Sequence, residues 1–155
     1  MRITVIGSQG QLGHDLMSSL SADGHQLTGL THQQISIEEA ASIETALDDN
    51  APELVINTAA YNKVDLAESA PEAAFTINTF GPRNLAMYCH QKNIRLMQIS
   101  TDYVFGLEAA RQSAYGEHDA PGPLSAYGQS KLAGEYFVRA ICPQHYVVRT
   151  CGLYG

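Results

Sequence analysis

The feature that most constrains this chain lies at its beginning. Residues 3–6 are a short, apolar, β-branched run, and Gly7-Ser8-Gln9-Gly10-Gln11-Leu12-Gly13 follows at once. Residues 11–20 then carry Leu12, Leu16, Met17 and Leu20 at helical spacing. A strand, a glycine loop and a helix in that order open a parallel sheet that can hold a pyrophosphate. Gly7 permits the tight turn out of the strand. Gly10 lets backbone approach the phosphates without a Cβ in the way, and Gly13 lets the helix pack close to the sheet. Free N–H groups and the positive end of the helix dipole favour the anion. Glycine spacing alone is a weak signal, and a merely structural turn is the competing reading; the strand before it and the helix after it tip the balance.

The rest of the chain keeps the same alternation. Strand-like runs fall at residues 26–30, 35–37, 54–57, 95–100 and 146–150, and helical patterns at 38–48, from Pro71 to about residue 90, and at 125–140. This pattern predicts an α/β fold: a Rossmann-like, doubly wound parallel sheet with strand order 3-2-1-4-5-6 and helices on both faces. Residues 1–155 read as one domain. The stretch 106–123 has two prolines, three glycines and no period, which marks a functional loop. The sequence stops just past a strand, so a substrate-covering domain is expected beyond it, and this chain alone is expected to bind cofactor weakly and not to turn over.

Composition narrows the partners. Net charge is −7 with a pI near 5.2, which argues against nucleic acid or an anionic membrane surface. A small phosphorylated ligand remains compatible, because backbone dipoles can bind one. Cys89, Cys142 and Cys151 are too few and too scattered for a disulfide framework or a zinc site, so no metal is expected. Reduced thiols fit a cytoplasmic location. The start of the chain lacks the apolar core of a signal peptide, and no apolar run approaches the ~20 residues needed to span a bilayer.

Two segments carry candidate chemistry. Tyr127 and Lys131 are four apart at the start of a predicted helix, which puts phenol and ammonium on one face. An ordinary phenol, with a pKa near ~10, is a poor acid–base group at neutral pH. A lysine one turn away is expected to stabilise the phenolate and lower that pKa, and can also reach the nicotinamide ribose hydroxyls. A chance surface pair is about equally probable on spacing alone. The fifth strand-like run ends Ile99-Ser100-Thr101-Asp102-Tyr103-Val104-Phe105. Ligands of open α/β sheets sit at strand carboxyl ends, where the Ser100 and Thr101 hydroxyls can bind cofactor and substrate carbonyl; a Ser/Thr/Asp-capped turn is the bland alternative. Asn57-Thr58-Ala59-Ala60-Tyr61 ends the preceding strand with small residues that allow close approach. Asn78 reads as structural. No acid ends the second strand, where one would bind an adenosine ribose diol. His32 stands there and can meet a 2′-phosphate, which leans slightly to NADP while leaving NAD open.

Together these segments resemble the extended short-chain dehydrogenase/reductase superfamily, to which the Gly-x-x-Gly-x-x-Gly spacing also points. Within it they resemble the dTDP-4-dehydrorhamnose reductase family. The resemblance spans the whole chain and rests on the glycine loop, residues 57–68 (NTAAYNKVDLAE), 100–105 (STDYVF), 127–135 (YGQSKLAGE) and the terminal Arg149-Thr150 with Leu153-Tyr154-Gly155. It implies Thr101, Tyr127 and Lys131 as a catalytic triad. It implies that Gln11, Leu12, Ala59, Ala60 and Tyr61 touch NADP or NAD, and that Val64, Asp102 and Tyr103 line a nucleotide-sugar substrate. It implies reduction of the C4 keto group of a dTDP-4-keto-6-deoxy sugar in rhamnose biosynthesis, and allows a homodimer of the whole protein. Three positions depart from the family pattern: Gly152 replaces a sugar-contacting Trp, Ser36 an Asp near the adenine, and His32 a basic residue. Competing readings are a non-catalytic NADP-binding regulatory subunit, resembling that of methionine adenosyltransferase, and a sugar-nucleotide epimerase or dehydratase.

Overall fold

A computed structural model describes residues 1–108 and 110–154. Ala109 of the 106–123 loop and Gly155 of the terminal signature lie outside them. Five strands, β1 (Arg2–Ile6), β2 (Gln26–Leu30), β3 (Leu54–Asn57), β4 (Arg95–Thr101) and β5 (His145–Thr150), form one sheet in the order β2-β1-β3-β4-β5. Every neighbouring pair is parallel. The helices are α1 (Gln11–Ala22), α2 (Ala40–Asp48), α3 (Val64–Ser69), α4 (Pro71–Phe75), α5 (Gly81–Gln91) and α6 (Ala126–Ile141).

The apolar faces sort the helices into two layers. Ile6, Val55 and Leu96 of the sheet pack with Ile43 and Leu47 of α2, Leu85 and Cys89 of α5, and Val138 of α6. On the opposite face, Val5 and Ile56 pack against Leu16, Met17 and Leu20 of α1. The two-faced α/β architecture is as expected, and none of the described helices is long and apolar enough to cross a membrane.

One expected strand is absent. Residues 35–37 form no strand; Ile35 and Ile37 are buried in the α2–α5 layer instead. The Ile37 side chain lies where a Cβ on Gly81 of α5 would be, 2.5 Å from that position. Tertiary packing thus turns both isoleucines inward, and β2 becomes the sheet edge.

The long helix expected from Pro71 onward is also modified. Between α4 and α5, residues Thr76–Phe80 form a wider π-turn. Pro82 lacks the N–H that would bond the carbonyl of Asn78 four residues back, and its ring crowds that oxygen. The turn opens there. The freed Asn78 carbonyl lies where a Cβ on Gly134 of α6 would be, so only glycine fits. Asn78 is 2 % exposed. Its Oδ1 accepts from the Tyr61 N–H at 2.8 Å, and its Nδ2 donates to the Tyr61 carbonyl at 2.9 Å and to Ser130 Oγ at 3.0 Å. One side chain thereby ties the loop after β3 to α6. Asn78→Ala should cost about 1–3 kcal/mol by leaving these buried groups unpaired. Urea unfolding checks this, and a loss below about 0.5 kcal/mol, the range of a neutral surface change, would contradict the clamp.

Candidate active site

Parallel pairing brings the carboxyl ends of all strands to one edge. Ile6 of β1 is level with Leu30 of β2 and Asn57 of β3, and Asn57 with Gln98 of β4. β4 runs three residues further, so Ile99, Ser100 and Thr101 overhang β3 and pair only with β5. The glycine loop leaves β1 at this same edge.

The loop is built as its glycines require. Gly7 has φ +82°, and a Cβ there would lie 2.6 Å from Thr58 Oγ1. A Cβ on Gly13 would collide with the Gly7 carbonyl, which lets α1 start directly beneath the turn. Gly10 is the N-cap of α1 and supplies no side-chain cap, so the first helical turn faces outward uncapped. Beside it lies a cavity of about 230 Å³ lined by Gly7, Gly10, His32, Glu38, Ala59 and Ala60 among others. Five expected cofactor residues therefore converge. Leu12 is half-buried and Gly13 buried, and neither lines the cavity. The Gln11 side chain donates to the Leu153 carbonyl at 3.2 Å. Tyr61 is held through its backbone by Asn78. Glu38 is a charged group that the search for an acid at the end of β2 missed. It arrives from the segment after β2, and Ser36 donates to it at 2.8 Å.

Thr101, Tyr127 and Lys131 meet where the β4 overhang abuts the start of α6. Ser125 caps that helix, its Oγ accepting from the Gly128 N–H at 3.0 Å. A Cβ on Gly128 would collide with the Tyr103 carbonyl, so the first turn of α6 sits directly on the segment after β4. Thr101 is buried; its hydroxyl accepts from the Tyr103 N–H and donates to Asp102, both at 3.2 Å. Tyr103 packs edge-on against Tyr127 with ring centroids 5.7 Å apart. Val64 opens α3 and is half-buried.

Electrostatics here differ from the expectation. Lys131 is 5 % exposed and donates to the Ile99 carbonyl at 2.8 Å. Burial lowers its pKa to about 8, with Glu135 opposing. The Tyr127 phenol is not lowered by Lys131. Burial raises it; contact with the Thr101 hydroxyl pulls the other way, and Asp102 and Tyr103 add to the rise. Spacing placed the ammonium on the correct helix face but could not show that a backbone carbonyl holds it. Ser100 also departs from its expected role. It is 4 % exposed and donates to Glu135 at 2.6 Å, facing into α6. Side chains alternate along a strand, so Ser100 and Thr101 cannot serve the same face.

A larger cavity, about 690 Å³, follows β5 past Phe105, Tyr115, Arg139 and Arg149 and borders Asp102. Among the described residues no group of three or more His, Cys, Asp or Glu side chains could hold a metal ion.

The fold recurs in known proteins. Residues 1–155 match the family model described as RmlD substrate binding domain. A dTDP-4-dehydrorhamnose reductase of Mycolicibacterium smegmatis is 41% identical over 153 residues, covering 99% of this chain and 46% of that protein. A dTDP-4-keto-6-deoxy-D-glucose reductase of Streptomyces niveus is 35% identical over 155 residues, covering 99% of this chain and 53% of that protein. The crystal structure of a Bacillus anthracis dTDP-4-dehydrorhamnose reductase in complex with NADP superposes with TM-score 0.93 at 35% identity, covering 99% of this chain and 54% of that one. The chain spans about half the length of the curated relatives it matches. With the family model matched from end to end, this chain belongs to the RmlD substrate binding domain family.

Proposed function

We propose that this chain is the NADP- or NAD-binding domain of a reductase acting on the C4 keto group of a dTDP-4-keto-6-deoxy sugar, in the manner of dTDP-4-dehydrorhamnose reductase. The observation that carries this reading is the convergence of Thr101, Tyr127 and Lys131 at the sheet edge that also bears the glycine loop. The named activities of the matching reductases support it.

The uncapped start of α1 and the cavity beside it fit the pyrophosphate and adenosine end of a dinucleotide. Gly7, Gly10, Gln11, Leu12, Gly13, His32, Ala59, Ala60 and Tyr61 would hold it, with Tyr127 and Lys131 at the nicotinamide end. Of the expected set, Ser100 is directed elsewhere and would act only through its backbone. When bound there, the cofactor would supply hydride for the sugar carbonyl carbon. Tyr127 donates a proton to the oxygen at C4, a role to which a raised phenol pKa is suited, because it keeps the proton in place until the oxygen becomes basic. Thr101 orients the carbonyl. Lys131, held by the Ile99 carbonyl, would donate from its ammonium to the ribose hydroxyls at the nicotinamide end. Val64, Asp102 and Tyr103 line the sugar side, and Gly152 leaves an open wall at its end of the site. The substrate is a nucleotide sugar, the whole protein is compatible with a homodimer, and the cytoplasm is the fitting compartment for such a reaction.

The test is consumption of NADPH or NADH by the whole protein with dTDP-4-keto-6-deoxymannose and related 4-keto sugars. Turnover is expected, and its absence with every such sugar would sink the reading. Tyr127→Phe should lower kcat by about 10²-fold or more while cofactor binding stays nearly intact. The Lys131 charge is present below about pH 8 and lost above it, so turnover should fall as pH rises through that value. A rate flat to about pH 10, the ordinary lysine range, would show that the charge is not needed.

A further inference from the structure

Glu135 is an anomaly for a helix packed on a sheet. It is 1 % exposed, yet it is a carboxylate. Burying such a group costs more than burying an apolar side chain unless it is fully paired. Here it is: Oε1 accepts from Ser100 Oγ at 2.6 Å and Arg149 Nε at 2.9 Å, and Oε2 accepts from Arg149 Nη2 at 2.6 Å. Arg139 stands 3.6 Å from Oε2. Arg149 is itself fixed on a second side, 4.9 Å from the centroid of the Phe105 ring.

The partners define its place. Ser100 immediately precedes Thr101 on β4. Arg149 precedes Thr150 on β5, and Thr150 pairs with Thr101. Lys131 lies one turn back on α6, on the same face. A single buried carboxylate therefore joins the strand that carries Thr101 to the helix that carries Tyr127 and Lys131. We propose that Glu135 is a positioning residue for the reaction: it locks the β4 overhang onto α6 and places a carboxylate one helical turn from the buried Lys131 ammonium. The role in a reaction rests on the reductase reading above; the link between Glu135 and Lys131 does not.

The other groups around Lys131 leave Glu135 as its main counter-charge. On α6 these are the Tyr127 phenol and Arg139. β4 offers the Ile99 carbonyl and the Ser100 and Thr101 hydroxyls. β5 offers Arg149, a like charge that is itself bonded to Glu135. The segment after β4 offers Asp102, which acts on Tyr127. From α3, Glu68 accepts from the Ala126 N–H at 2.7 Å. The π-turn and start of α5 meet α6 through Asn78, Thr79 and Pro82, with Arg83 over the Phe137 ring. Among the described residues, Glu135 is the charge that opposes the effect of burial on Lys131.

The chain has three lysines, Lys63, Lys92 and Lys131, so lysine labelled with carbon-13 gives three side-chain signals to follow against pH. Lys63→Arg and Lys92→Arg assign them. In Glu135→Gln the Lys131 midpoint should fall by roughly one pH unit or more, while Lys63 and Lys92 stay in place. An unmoved Lys131 midpoint overturns the proposal. In the whole enzyme the same variant should move the basic limb of the kcat profile down by a matching amount and leave KM for the cofactor nearly unchanged; an unshifted limb overturns the positioning role. Glu135→Asp keeps the charge but shortens the reach to Ser100, so it should restore the midpoint and only part of kcat. If Glu135→Gln fails to fold, Glu135→Gln/Arg149→Met removes the ion pair as a unit; a smaller fall is expected because a positive charge leaves with the negative one, and an unmoved midpoint again overturns the proposal. A wild-type protein without reductase turnover would refute the functional reading alone, since the lysine titration needs no substrate.

Discussion

The candidate site depends on how closely α6 lies against the end of β4. Two glycines make that approach possible: Gly128 sits under the Tyr103 carbonyl and Gly134 under that of Asn78, and a Cβ at either position would collide. Polar groups then fix the helix in place. Lys131 bonds the Ile99 carbonyl, Asn78 bonds Ser130, Thr79 bonds the Ser130 carbonyl at 2.7 Å, and Glu135 joins Ser100 to Arg149. No described buried side-chain nitrogen or oxygen lacks a partner. The interface is therefore specified by directional bonds as well as by apolar packing, which is the condition for holding reacting groups to a fixed geometry.

This rigidity explains why the elements near the site are less regular than those far from it. β4 overhangs β3, the helix from Pro71 opens into a π-turn, and the 31–39 segment folds into the core rather than adding a strand. Each departure brings a candidate site residue, or a side chain that supports one, to the carboxyl edge. The phenol and the ammonium share one helical face, but burial pushes both toward their neutral forms, against Thr101 for the phenol and Glu135 for the ammonium. That is a starting state in which Tyr127 keeps its proton and Lys131 is held by the Ile99 carbonyl.

Much of this was legible in the sequence, and the exceptions have physical causes. The strand before Gly7, the helix after Gly13 and the buried run at Leu54–Asn57 are local patterns, and each formed as expected. Ile35 and Ile37 alternate like a strand, but their burial against Gly81 is a long-range contact that periodicity cannot display. The helix from Pro71 was visible, while the π-turn was not, although Pro82 four residues after Asn78 was a signal for it. The Tyr127–Lys131 spacing put both groups on one face, yet the direction of the phenol shift came from burial and from Asp102 and Tyr103 just after β4. The Ser100 hydroxyl, expected at the ligand, faces Glu135, because adjacent strand residues point to opposite faces. Glu135 lies within the YGQSKLAGE motif, but its role required knowing that Ser100 and Arg149 converge on it.

The central claim is that the glycine loop and the α6 pair form one cofactor site. Backbone amide and side-chain NMR during titration with NADPH tests it most directly. Signals of Gly7, Gly10, Gln11, Ala59 and Ala60 should move together with those of Tyr127 and Lys131 and fit a single dissociation constant. Shifts confined to the glycine loop, with Tyr127 and Lys131 unmoved at saturation, would contradict it.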